Sequence, residues 1–104
     1  MPRKPRFGPA SDPELLILAS LASGPKHGYA MMTDIEVAVG VTLGAGTLYT
    51  AIGRLVAKRF VAPEPIAGRQ RPYRLTAEGA KALNDQLEEM RRVAAFGLRR
   101  LRLA

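Results

Sequence analysis

From Thr76 onward the chain reads as one long helix, and this segment most restricts the architecture. Leu83, Leu87, Met90, Ala94, Gly97 and Leu101 recur at spacings of four and three, the seam of a heptad pattern. Val93, Phe96 and Leu98 widen the apolar face near its centre. In a chain of 104 residues, little body remains to cover such a stripe. Folding back onto its own domain is one solution; a second copy of the chain is the expected one. That reading places Leu15, Leu18, Leu83, Leu87, Met90, Ala94 and Leu101 at an interface between two copies.

The rest of the chain supplies short elements. Residues 1–10 hold prolines, a glycine and cations with no helix or strand period, which predicts a flexible basic arm. Ser11-Asp12-Pro13-Glu14 is a helix start: a capping side chain, a proline for the first turn and an acid at the positive dipole end. The following Leu15, Leu16, Ile17, Leu18, Leu21 and Ala22 predict a helix buried on more than one side, stopped at Ser23-Gly24-Pro25. A second helix is expected from about Gly28 to Val39, with Tyr29, Met32, Ile35 and Val39 on one stripe. Val41-Thr42-Leu43 is short and β-prone. A third helix is expected from about Ala45 to Lys58, with Leu48, Ile52, Leu55 and Val56 buried. Phe60–Ile66 and Arg71–Leu75 read as a hairpin turning at Ala67-Gly68-Arg69-Gln70. Pro63 and Pro65 suit a solvent-facing edge. Thr76 caps the final helix, expected to reach about Leu101.

This order predicts a mainly α chain with a small β-hairpin (α+β). It fits a winged helix-turn-helix over 11–76, with a dimerisation helix over 77–104. No internal repeat is evident. Composition removes other classes. With no cysteine and a single histidine, His27, thiol chemistry, disulfides and His-pair metal sites have no residues to build on. No cofactor or metal is expected. Gly44-Ala45-Gly46 opens a helix, as phosphate loops do, but lacks the following Lys-Ser/Thr pair. No catalytic constellation emerges, and no enzyme activity is expected. No apolar run approaches the roughly 18 residues needed to span a bilayer, so no membrane partner is expected and the default compartment is the cytoplasm.

The charge points elsewhere. Sixteen Lys and Arg against nine Asp and Glu give +7, and a short, strongly basic chain tends to meet polyanions. The third helix has an outer face of Gly46, Thr47, Thr50, Gly53, Arg54, Ala57 and Lys58 without a large apolar group. Such a face fits a major groove about 12 Å wide. Threonine offers a hydroxyl and a methyl suited to thymine; Arg54 suits phosphate or guanine. Arg69 and Arg71 at the hairpin turn, with Arg74 behind them, can clamp phosphates or enter a minor groove. The plainer reading of these groups is a solvated helix face and exposed turn arginines. At the far end, Arg91, Arg92, Arg99, Arg100 and Arg102 read mainly as complements to the helix dipole.

Three motifs occur in order: Gly24-Pro25-Lys26-His27-Gly28-Tyr29, Gly46-Thr47-Leu48-Tyr49, and Tyr73-Arg74-Leu75-Thr76-Ala77-Glu78-Gly79. Together, across about Leu15 to Leu83, they resemble the PadR-like transcriptional regulators, and the length resembles the short subgroup with one C-terminal dimerisation helix. The resemblance implies a cytoplasmic, dimeric, mostly repressing regulator, often released from DNA by small ligands. It implies Thr47 and Tyr49 at the DNA-facing start of the third helix and Arg69 and Arg71 in the wing. The chain departs from the family pattern at Gly44-Ala45 (usually Ser-Pro), Thr50 (usually Pro) and Arg59 (usually Gly). Some short members hold flat aromatic drugs between tryptophans; this chain has no Trp.

The expected function is therefore a homodimeric, sequence-specific double-stranded DNA-binding regulator, with repression the expected sign. The DNA-binding set is Thr47, Tyr49, Thr50, Arg54, Lys58, Arg69, Arg71 and Arg74. A candidate pocket for a small apolar effector, at the centre of the dimer, is lined by Met90, Val93 and Phe96. Two alternatives stand beside it. A winged-helix protein-interaction module would bind DNA weakly and without salt sensitivity. A small RNA-binding protein would need exposed aromatics for stacking, and only three Tyr and three Phe are present.

Overall fold

The structure, a computed structural model, describes residues 11–103; the basic arm expected over residues 1–10 lies outside them. The elements in order are α1 (Pro13–Leu21), β1 (Lys26–His27), α2 (Gly28–Val39), α3 (Ala45–Ala57), β2 (Val61–Pro63), β3 (Pro72–Leu75) and α4 (Ala77–Leu103).

The capping chemistry explains where the helices begin. Asp12 Oδ1 accepts hydrogen bonds from the N–H groups of Glu14 (3.0 Å) and Leu15 (3.4 Å), satisfying donors that α1 cannot pair internally. His27 Nδ1 accepts from the Ala30 N–H at 3.3 Å and caps α2. Gly40, at φ 71°, ends α2 in the left-handed region that favours glycine. Thr76 Oγ1 accepts from the Gly79 N–H at 3.0 Å and donates to the Arg59 carbonyl at 2.6 Å. One hydroxyl thus caps α4 and ties its start to the end of α3.

The core forms around α1, which packs against α2, α3 and α4. Leu15, Leu16, Ile17, Leu18 and Leu21 join Met31 and Ile35 of α2, Leu48, Ala51, Ile52 and Leu55 of α3, Val61, Leu43 and Leu83. Each fully buried aliphatic side chain contributes about 1.5–3 kcal/mol. Among the described residues Ser20 is the buried polar exception, and its hydroxyl donates to Asp34 Oδ2 at 2.6 Å. Leu15 and Leu18, expected between two copies, are each 4% exposed within one chain. Leu83 is likewise spent on this core. These three are therefore corrected from interface to core.

The sheet has three antiparallel strands in the order β1-β3-β2. Lys26 lies opposite Tyr73 and His27 opposite Pro72; Val61, Ala62 and Pro63 lie opposite Leu75, Arg74 and Tyr73. The two hairpin strands, β2 and β3, are shorter than the predicted arms Phe60–Ile66 and Arg71–Leu75. The third strand is not Val41–Leu43, which stays unpaired while Leu43 plugs the core. It is the two-residue β1. The inward face of α2 also differs from expectation: Gly28, Met31 and Ile35 are buried, whereas Tyr29 and Val39 are exposed.

Candidate nucleic-acid interface

Helix α3 is sharply two-sided. Leu48, Ala51, Ile52 and Leu55 are buried, while Gly46, Thr47, Thr50, Gly53, Arg54, Ala57 and Lys58 are all exposed. The 3.6-residue period places the inner set on one stripe and the outer set opposite. The N-cap is Gly44, which brings no side-chain hydrogen bond, so the first N–H groups of α3 are open to an outside acceptor. A concavity of about 310 Å³ runs beside this face, lined by Pro13, Glu14, Gly46, Thr47, Thr50, Ala51 and Arg54. It joins the predicted Thr47, Thr50 and Arg54 into one surface.

Tyr49 has a second role. Gly28 lies beneath its ring: a Cβ built on Gly28 would collide with the phenol oxygen and come within 2.7 Å of Cζ. Half of Tyr49 remains exposed. The tyrosine therefore bridges the starts of α2 and α3 and presents only part of its ring outward. The close approach explains physically why His27-Gly28-Tyr29 and Gly46-Thr47-Leu48-Tyr49 occur together.

The predicted cations differ in what holds them. Lys58 Nζ pairs with Glu14 Oε1 at 2.7 Å, linking α3 to the first turn of α1. Sequence reasoning missed Glu14 as a member of this face, since it read only as a helix-start acid. In the wing, Arg71 donates to the Glu64 carbonyl at 2.9 Å and Arg74 lies 3.6 Å from the Glu64 carboxylate. Those two arginines brace the hairpin. Its tip closes at Ala67 and Gln70 through N–H to carbonyl bonds of 2.8 and 3.2 Å, with Gly68 at φ 64°. Among the described residues, Arg54 and Arg69 make no ion pair or side-chain hydrogen bond, so both heads are available.

Along α4, Leu87 and Leu101 are exposed, Met90 is half-buried against the core, and Ala94 is exposed. Val93 and Phe96 are also exposed, with the Arg100 guanidinium 4.7 Å from the Phe96 ring centre. The candidate pocket residues Met90, Val93 and Phe96 do not converge within one chain. Six residues along a helix turn Phe96 roughly 120° away from Met90. Asp85 holds the Lys81 ammonium above its ordinary pKa, first by a hydrogen bond and then by charge, and Glu88 does the same for Arg91. No helix among the described residues is long and apolar enough to cross a membrane.

Comparison with known proteins agrees with this geometry. An uncharacterized 37.1 kDa transposon protein of Streptomyces fradiae is 44% identical over 84 residues, which cover 81% of this chain and 24% of that protein. The chain thus spans about a quarter of the length of the curated relative it matches. The structure of a transcriptional regulator from Clostridium thermocellum superposes with a TM-score of 0.72 at 25% identity, covering 80% of this chain and 86% of that one. Bacillus subtilis PadR in complex with operator DNA shares the fold, with a TM-score of 0.64 at 24% identity over 71% of this chain and 45% of its own. Residues 17–85, which include the two-sided α3 and the wing, match the transcriptional regulator PadR-like family, and the chain belongs to that family.

Proposed function

We propose that this chain is a sequence-specific double-stranded DNA-binding regulator, acting as a homodimeric repressor that a small apolar effector releases. The observation that carries the reading is the outer face of α3. It exposes Thr47, Thr50 and Arg54 with no large apolar group in the way. A major groove admits such a face, with hydroxyls and a guanidinium within reach of base edges and phosphates. Arg69 at the wing tip supplies a second, separate cation for a phosphate or a narrow minor groove. The net charge of +7 favours the same partner, and the Bacillus subtilis relative is bound to operator DNA. Leu87 and Leu101, exposed on α4, favour association with a second copy. Val93 and Phe96 add exposed apolar surface on the same helix, which an apolar effector would find attractive. Occupancy of a promoter by such a dimer represses by exclusion.

The test is titration of purified protein against duplex DNA from the region preceding its own gene, across a salt series. Arg54→Ala and Arg69→Ala should each weaken binding and lower the salt slope by about one unit. Parent-like affinity and slope in both variants would overturn the docking face. Salt-insensitive, weak binding by the parent would favour a protein-interaction module instead.

A further inference from the structure

The docking face carries acids as well as cations. Among the described residues, two carboxylates reach the predicted DNA-binding set: Glu14 Oε1 lies 2.7 Å from Lys58 Nζ, and Glu64 Oε1 lies 3.6 Å from Arg74 Nε. In each pair the acid is the more sheltered partner. The side chains of Glu14 and Glu64 are 25% and 33% exposed, against 52% and 49% for Lys58 and Arg74. Both acids are also held by their backbones. Glu14 sits in the first turn of α1, where its N–H donates to Asp12 Oδ1, and α1 packs directly on α3. The Glu64 N–H donates to the Pro72 carbonyl at 2.8 Å, and the Glu64 carbonyl accepts from Arg71. We infer that Glu14 and Glu64 are internal counterions of the docking face, holding Lys58 and Arg74 from phosphate and so limiting affinity for duplex DNA of any sequence. The inference rests on the DNA-binding reading above and adds what restrains it.

The physics is counterion exchange. A lysine or arginine that meets a phosphate releases a condensed cation from the DNA, and each release steepens the fall of affinity with salt by about 0.9 on logarithmic axes. A cation held by a carboxylate of its own chain must first give up that partner, so it contributes little. Position makes the restraint matter. Thr47, Arg54 and Lys58 recur at spacings of seven and four along one line of α3, so Lys58 extends the line toward which a duplex would dock. Arg54 on that line and Arg69 in the wing make no ion pair among the described residues, and Arg71 is bonded to a neutral carbonyl and keeps its charge. An exposed ion pair adds little to stability, which leaves the cost of meeting phosphate as the larger effect of each pair. With the backbone contribution held down, Thr47 and Thr50 on base edges carry a larger share of the affinity that remains.

The probe is a random-sequence duplex, titrated with the whole chain across a salt series. Glu14→Gln and Glu64→Gln should each tighten binding about fivefold at about 0.15 M salt and steepen the salt slope by about 0.9. Adding Lys58→Met to the first, or Arg74→Met to the second, should remove the gain. Glu89→Gln raises the net charge equally, at an exposed acid of α4 outside the docking face, and should change neither affinity nor slope. An equal gain in Glu89→Gln would reduce the effect to net charge and overturn the inference. A parent-like slope in Glu14→Gln and Glu64→Gln would overturn it too, as would a gain that survives the loss of Lys58 or Arg74. In all three cases the parent still binds duplex with its own salt dependence, and the DNA-binding reading stands. A parent chain whose duplex binding ignores salt would overturn that reading itself.

Discussion

The first and last helices of this chain use apolar residues in opposite ways. Helix α1 has nine residues, and Leu15, Leu16, Ile17, Leu18, Ser20 and Leu21 are buried. Helix α4 has 27 residues, of which only Gly79 and Leu83 are buried. One is short and surrounded by its own chain; the other starts on the body and then leaves it. The difference shows that apolar content alone does not locate a core. Leu101 and Leu103 are as apolar as Leu15 and Leu18, yet they are largely exposed. What separates them is how many elements pass nearby.

The comparison breaks most visibly at its two extremes. Ile17, fully enclosed, should lose about 2–5 kcal/mol of stability on truncation to alanine, a large share of the 5–15 kcal/mol typical of a folded domain. Leu101→Ala, at a site 75% exposed, should leave the stability of the single chain nearly unchanged and act on association instead. Chemical denaturation at low protein concentration separates the two. A comparable loss in both variants would mean that α4 contributes to the core along its whole length.

A smaller effect is expected where α4 joins the body. A Cβ on Gly79 would collide with the Phe60 carbonyl oxygen and approach its carbon to 2.8 Å and Leu75 Cδ1 to 2.9 Å. Gly79→Ala should therefore cost about 1–3 kcal/mol, whereas Gly97→Ala, with nothing within 4 Å, should not destabilise. Equal melting temperatures for the two variants would show that the joint can yield. The smallest expected effect is a gain. Arg59 sits at φ 65°, a left-handed conformation costly to residues with a Cβ, and Arg59→Gly should stabilise by about 1 kcal/mol. An unchanged or lowered melting temperature would show that the arginine side chain offsets the strain.

Much of the architecture was legible in the residues because local chemistry and periodicity agreed. Asp12, Gly40 and Thr76 mark helix ends by capping, and the two faces of α3 follow from its spacing. The misses have different causes. Strand β1 is only Lys26–His27, too short to show a period, and it exists because β3 has a free edge there. Val41–Leu43 has β-prone residues without a strand to pair with. The roll of α2 is set by the Gly28–Tyr49 approach, which hydrophobic patterning cannot register. The candidate site was legible in its charges and small residues, but not in its pairings. Glu14 meets Lys58 across 44 residues, and Glu64 engages two wing arginines. Such contacts arise from the fold as a whole.

The joint at Thr76 has a mechanical consequence. Its hydroxyl binds the end of α3 and the start of α4, and Gly79 seats α4 against the Phe60 backbone. From there α4 extends over 27 residues, an arm of about 40 Å at 1.5 Å per residue. A rotation of about 5° at its base sweeps the tip by roughly 3 Å, close to the rise of one DNA base pair. In the proposed dimer, the stiffness of a few atoms around one threonine would set how finely the two α3 faces are aligned.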